Sequence, residues 1–127
     1  LYSPVQASSR IYSSQDIERW HINEMKSLLS RFSGVKFIFD NVKQKYYPVL
    51  RDAITSFRSK NEGKPLVVID DTPFIDFDIL DYPVNDIEEI FLLKGSDAAI
   101  WGPKASNGII VIITQRGKST KIEQKEE

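Results

Sequence analysis

The 127-residue sequence contains no cysteine and a single histidine. Without thiols there can be no disulfide framework, no cysteine-ligated zinc site and no thiol nucleophile. His21 falls inside a helical pattern with no serine or cysteine arranged to work with it, so the usual nucleophile–base pairing is missing as well. The charge is nearly balanced at a net −1, which leaves out the basic excess of a nucleic-acid-binding surface. Long hydrophobic runs are also missing: residues 109–113 are among the longest, and a membrane helix needs about 20. The sequence opens on Leu1 rather than Met and shows no leader pattern, as expected of a processed or excised product.

What is present suits one hydrophobic core. Hydrophobic residues make up 41% and charged residues 28%, close to an ordinary globular domain, and the length fits a single unit. Residues 1–14 form a polar lead-in, 15–118 the domain proper, and 119–127 a charged tail or linker. A helix is expected from about Ser14. Ser13 or Ser14 can cap it, Asp16 and Glu18 complement its dipole, and Ile17, Trp20, Met25, Leu28, Leu29 and Phe32 form one apolar face up to a stop at Gly34. Strands are expected over 35–39 (VKFIF), 46–50 (YYPVL), 66–69 (LVVI), 88–93 (EEIFLL) and 109–114 (IIVIIT). Pro48 confines its strand to an edge. Residues 52–59 read as a short helix, 61–64 as a turn, 83–88 as a loop with helical potential, and 97–101 as a helical turn. The sum is an α+β domain: a small mixed β-sheet with one N-terminal helix and short helical connections.

The segment most suggestive of chemistry is acidic. Asp70, Asp71, Asp76, Asp78, Asp81, Asp86, Glu88 and Glu89 crowd a stretch that has no Lys or Arg from 65 to 93. An Asp76–Asp78 pair has the outline of a phosphotransfer site, but the turn that should follow it is missing. The same pair could open a calcium loop, but the third ligand position falls on Leu80, the turn glycine is absent, and no bidentate Glu closes the loop. Asp70–Asp71 at a strand end resembles a receiver acidic pair without its partner strands. The expectation is therefore solvent-facing loops, no catalytic residue, no cofactor and no metal. The Gly102-Pro103-Lys104 step fails the spacing of a phosphate loop, and Pro103 removes a backbone donor.

Residues 65–118 carry a series of short motifs in fixed order: Pro65-Leu66-Val67-Val68-Ile69-Asp70, then Asp86-Ile87-Glu88-Glu89-Ile90, Leu93-Lys94-Gly95, Ala98-Ala99-Ile100-Trp101-Gly102, Asn107-Gly108, and an apolar strand ending at Thr114 with Gly117. In this order and spacing the segment resembles the plug domain of TonB-dependent outer-membrane receptors, especially the SusC-like type. Upstream, residues 28–35 (LLSRFSGV) and Leu50-Arg51-Asp52 continue the resemblance, which covers about 16–118. Two positions where the family carries glycine are Asp52 and Asp71 here.

The resemblance implies a plug-like fold and a non-enzymatic part in nutrient uptake at the outer membrane or in the periplasm. Its partners would be a β-barrel of the same parent chain, the TonB coupling protein, and a glycan or peptide ligand, with no nucleic acid. It implies docking to a barrel or partner through Arg51 and Lys94, and structural turns at Gly95, Gly102, Asn107 and Gly108. The acidic loop of Asp76, Asp78, Asp81 and Asp86 would then face a ligand or partner. A receptor barrel of 22 strands needs more than about 200 residues, so these residues do not hold one. The alternative is a plug fold reused as a binding or structural module without a barrel.

Overall fold

The computed structural model describes residues 9–50 and 63–117. The expected helix over 52–59, Arg51, Asp52, the first half of the 61–64 turn and the charged tail lie outside the described residues. Among the described residues the elements include seven strands and two short α-helices: β1 (Tyr12–Ser13), α1 (Ser14–Arg19), α2 (Met25–Leu29), β2 (Val35–Asp40), β3 (Lys45–Leu50), β4 (Leu66–Ile69), β5 (Thr72–Phe74), β6 (Ile87–Leu93) and β7 (Ile109–Thr114). Single 3₁₀ turns and short 3₁₀ helices fill the connections at Ile79–Asp81, Val84–Asp86, Gly95–Trp101 and Pro103–Ala105.

The strands form a five-stranded mixed sheet in the order β1-β6-β7-β4-β5 and a separate two-stranded sheet, β2-β3. Strand β7 lies at the centre, antiparallel to β6 and parallel to β4, with Ile110 opposite both Leu92 and Val67. Its near-continuous apolar run follows from burial on both faces. Val67, Ile90, Leu92, Ile110 and Ile112 point to one core with Met25, Leu28, Leu29 and Phe32 of the helical layer. Leu66, Val68, Phe91, Leu93, Ile109 and Val111 point to a second core, closed by Ala98, Ala105 and the half-buried Trp101 of the β6–β7 connection.

The single N-terminal helix expected from the apolar spacing is two helices. Helix α1 starts on a capping box, in which Ser13 Oγ accepts from Asp16 N–H and the Asp16 carboxylate accepts from Ser13 N–H. It stops at Trp20. His21 takes a left-handed φ of 55°, donates its N–H to Glu18 O, and Ile22 N–H reaches Ile17 O. This paired pattern is a Schellman closure with histidine in the usual glycine position, sealed by Ile17 and Ile22 in the same core. The apolar face survives the break because both helices pack on one side of the sheet. Tyr12 fixes the entry to this layer: its ring touches Trp20 and Phe32, and its hydroxyl donates to Arg31 O at 2.9 Å.

Strand β5 was not expected from the sequence. It pairs antiparallel with β4, Ile69 opposite Thr72, across a two-residue loop of Asp70 (φ 48°) and Asp71 (φ 70°). Two successive left-handed residues make the turn that matches strand twist, a turn that normally takes Asn-Gly or Asp-Gly. Asp71 thus adopts the conformation that the glycine expected at its position would supply.

Candidate functional site

The acidic segment leaves β5 and runs beneath the end of the β2–β3 hairpin. Asp40 closes β2 and organises a four-residue loop: its Oδ1 accepts from Val42 N–H at 2.9 Å and Lys43 N–H at 3.2 Å, and its carbonyl accepts from Gln44 N–H at 2.8 Å. This Asx-type turn presents Lys43 and Lys45 toward the acidic segment. Lys43 Nζ lies 3.2 Å from Asp76 and 3.2 Å from Asp78. Lys45 Nζ lies 2.7 Å from Asp81 and 3.6 Å from Asp78. Lys64, at the entry to β4, joins the network from below, 3.0 Å from Asp40 and 2.9 Å from Asp76, with its ammonium 4.8 Å from the centre of the Tyr47 ring.

The electrostatics follow from these contacts. The hydrogen bond from Lys64 holds the Asp40 carboxyl below its ordinary value, aided by the Lys43 backbone N–H. Lys64, and then Lys43 against burial, does the same for Asp76. Burial draws Lys64 down, but its bonds to Asp76 and Asp40 outweigh this and hold the ammonium well above the usual lysine range. Asp78 raises Lys43, and Asp81 raises Lys45. Asp76 itself has a left-handed φ of 57°, so the residue that takes two lysines is also strained.

Asp76, Asp78 and Asp81 are thus brought together, each against a lysine rather than facing only water. Asp86 lies apart, accepting from the Tyr82 hydroxyl, whose pKa is raised by burial and then by Asp86. Asp70 serves the fold: it accepts from Thr114 N–H at 2.9 Å and from the Thr114 hydroxyl, which in turn accepts from Gly117 N–H at 3.0 Å. A Cβ at Gly117 would meet Asp70 Oδ1 at 2.3 Å. The Val-x-Asp and Thr-x-x-Gly elements noted in the sequence are therefore one clamp at the end of β7. Gly95, Gly102 and Gly108 have φ of 55°, 79° and 89°. Buried Asn107 donates from its side-chain amide to Lys64 O at 3.3 Å. Lys94 is half-buried where β6 ends, remote in sequence from the network.

The lysines were missed because their partners are 12 to 36 positions away; only the Asp40 turn has a local signal. Among the described residues no three potential ligands converge on a cation position, and the Asp76 and Asp78 carboxylates are occupied by ammonium groups.

Comparison with known proteins decides the family. Residues 3–109 match the family model described as TonB-dependent Receptor Plug Domain. The chain belongs to this plug family. Among solved structures, the plug is similar to the siderophore receptor PirA from Acinetobacter baumannii, at TM-score 0.65 and 20% identity, over 87% of this chain and 18% of that one. It is similar also to a variant of the ferric enterobactin receptor PfeA from Pseudomonas aeruginosa in complex with enterobactin, at TM-score 0.64 and 19% identity, over 86% and 18%. PirA from Pseudomonas aeruginosa gives TM-score 0.53 at 22% identity, over 91% and 19%. The plug thus spans less than a fifth of the receptors it matches. Among its described residues no helix is long and apolar enough to cross a membrane.

Proposed function

We propose that this plug sits in the lumen of a β-barrel belonging to the same parent polypeptide and gates nutrient uptake across the outer membrane, driven by the TonB coupling protein. The observation that carries this reading is the family match over residues 3–109, a span that takes in both α-helices and strands β1 to β6. The 18% coverage of PirA fits a plug whose barrel lies elsewhere in the parent. A lumen filled with water favours a domain with two closed cores and a charged exterior.

Within that reading the parent is of the SusC-like type and its ligand is a glycan or a peptide. Arg51 and Lys94 are the docking contacts to the barrel wall. The acidic loop that holds Asp76, Asp78, Asp81 and, outside the lysine network, Asp86 faces the ligand. Because Lys43, Lys45 and Lys64 neutralise the first three, that surface is a mixed array of donors and acceptors, suited to a polar, uncharged ligand.

The test is a blot of the native protein from fractionated cells with an antibody against this domain, with and without boiling in SDS. An outer-membrane band whose mobility changes on boiling is the expected result. A band without heat-dependent mobility would mean that the fold serves a barrel-less binding or structural module.

A further inference from the structure

We infer that the outer half of the β2–β3 hairpin is a flap, latched by ion pairs over a closed crevice and able to swing open without unfolding the sheet. Among the described residues the hairpin shares no strand ladder with the five-stranded sheet, so side chains alone hold the two together. Its base is anchored by apolar packing: Leu50 and Val49 are buried, and Val35 and Phe37 pack on the helical core. Its outer half has the opposite character. Ile38 is 41%, Phe39 41%, Tyr46 51% and Val42 94% exposed. The apolar groups there contribute little beyond the Tyr46 ring under Lys26 of α2, and attachment falls mainly to Lys43 and Lys45 against Asp76, Asp78 and Asp81, with Lys64 bridging Asp40 to Asp76.

Beneath the flap lies a crevice. Tyr46 and Tyr47 line it from the flap, buried Pro48 lines its anchored end, and Pro65, Val67 and Phe77 line it from the rest of the domain. In the latched state these walls nearly meet; releasing the lysines would part them and expose an apolar floor rimmed by charge. Left-handed Asp76 adds a bias toward release, since its strained backbone is held by the two lysines it binds. The half-exposed Lys43 and Lys45 pairs weaken with ionic strength, whereas the apolar base does not and the mostly buried Lys64–Asp40 pair is screened much less. The device therefore has a defined trigger, competition for its ammonium groups, and a defined hinge at the Val35–Leu50 end. It does not depend on whether the parent carries a barrel.

Hydrogen exchange on the 127-residue chain tests the latch. Lys43→Glu with Lys45→Glu should raise exchange at amides 38–46 about tenfold at low salt, because a two-stranded hairpin that loses its support frays, while leaving β6 and β7 unchanged. Adding Asp78→Lys and Asp81→Lys, which gives both new carboxylates a cation while Asp76 keeps Lys64, should restore most of the protection. Should the charge variants fail to fold, raising salt on the native chain from about 0.05 to about 1 M must release the same amides selectively. Hairpin amides indifferent to both salt and charge reversal would overturn the proposal. So would a loss of protection spread equally over β6 and β7, which marks general destabilisation.

Discussion

Replacing Asp71 by glycine should make this plug more stable, and replacing its neighbour Asp70 by glycine should make it less so. Both residues occupy the left-handed region, at φ 70° and 48°. That region costs an ordinary residue roughly 1–2 kcal/mol, less for aspartate, and glycine nothing. Glycine gives back part of this gain because it frees the unfolded chain, by about 0.5–1 kcal/mol. The net expectation for Asp71→Gly is about 0.5 kcal/mol of stabilisation, or a rise in Tm of about 2 °C for a domain of this size. Asp71→Ala should move the other way by a similar amount. At Asp70 the same backbone relief is outweighed, because the carboxylate accepts from both the backbone N–H and the hydroxyl of Thr114, which is fully buried. Leaving that N–H buried without a partner costs about 1–3 kcal/mol, so Asp70→Gly should destabilise by roughly 1–2 kcal/mol. Urea unfolding of the four proteins, followed by tryptophan fluorescence, measures all of this. If both glycine substitutions shift stability in the same direction, the assignment of backbone strain to one residue and capping to the other is wrong.

Three further outcomes follow from the same geometry. Gly117→Ala should cost about 1 kcal/mol by displacing the Asp70 carboxylate, and the cost should vanish in an Asp70→Gly background, a coupling read from a double-mutant cycle. Ile110→Ala, at the fully buried centre of the sheet, should cost about 2–5 kcal/mol in equilibrium unfolding. Acidification should weaken the fold through Asp40 and Asp76. Their folded-state pKa values are lowered, so the stability they add is present above the ordinary carboxylate value of 3.8 and lost as pH falls through the lowered ones. In Lys64→Met the urea midpoint should fall less steeply over that acid range, because the main cause of the lowering is gone.

Much of the fold was legible in the sequence because local signals agreed with the tertiary result. The apolar runs that became β4, β6 and β7 had to be buried on both faces, and no loop could hold them. Ser13 with Asp16 announced a helix start, and Pro48 lies in a two-stranded sheet where an edge is always at hand. Misses occurred where a residue stood in for a commoner one. His21 closes α1 in a position that glycine usually takes, so one continuous helix was expected where two occur. Asp70–Asp71 make a tight hairpin without the glycine that would have advertised β5.

The sequence by itself pointed to the family, since ordered motifs over residues 65–118 specify strands and turns of a plug. It also determined the composition of the acidic segment. Only the tertiary structure decided what that segment does, because its cations come from residues 43 and 45 on the β2–β3 hairpin and from residue 64 before β4, brought near by the tertiary fold. Hydrophobic periodicity records which face of an element is buried. It contains no information about which charged loop will lie against which hairpin, and that pairing turns a run of aspartates into a set of ion pairs.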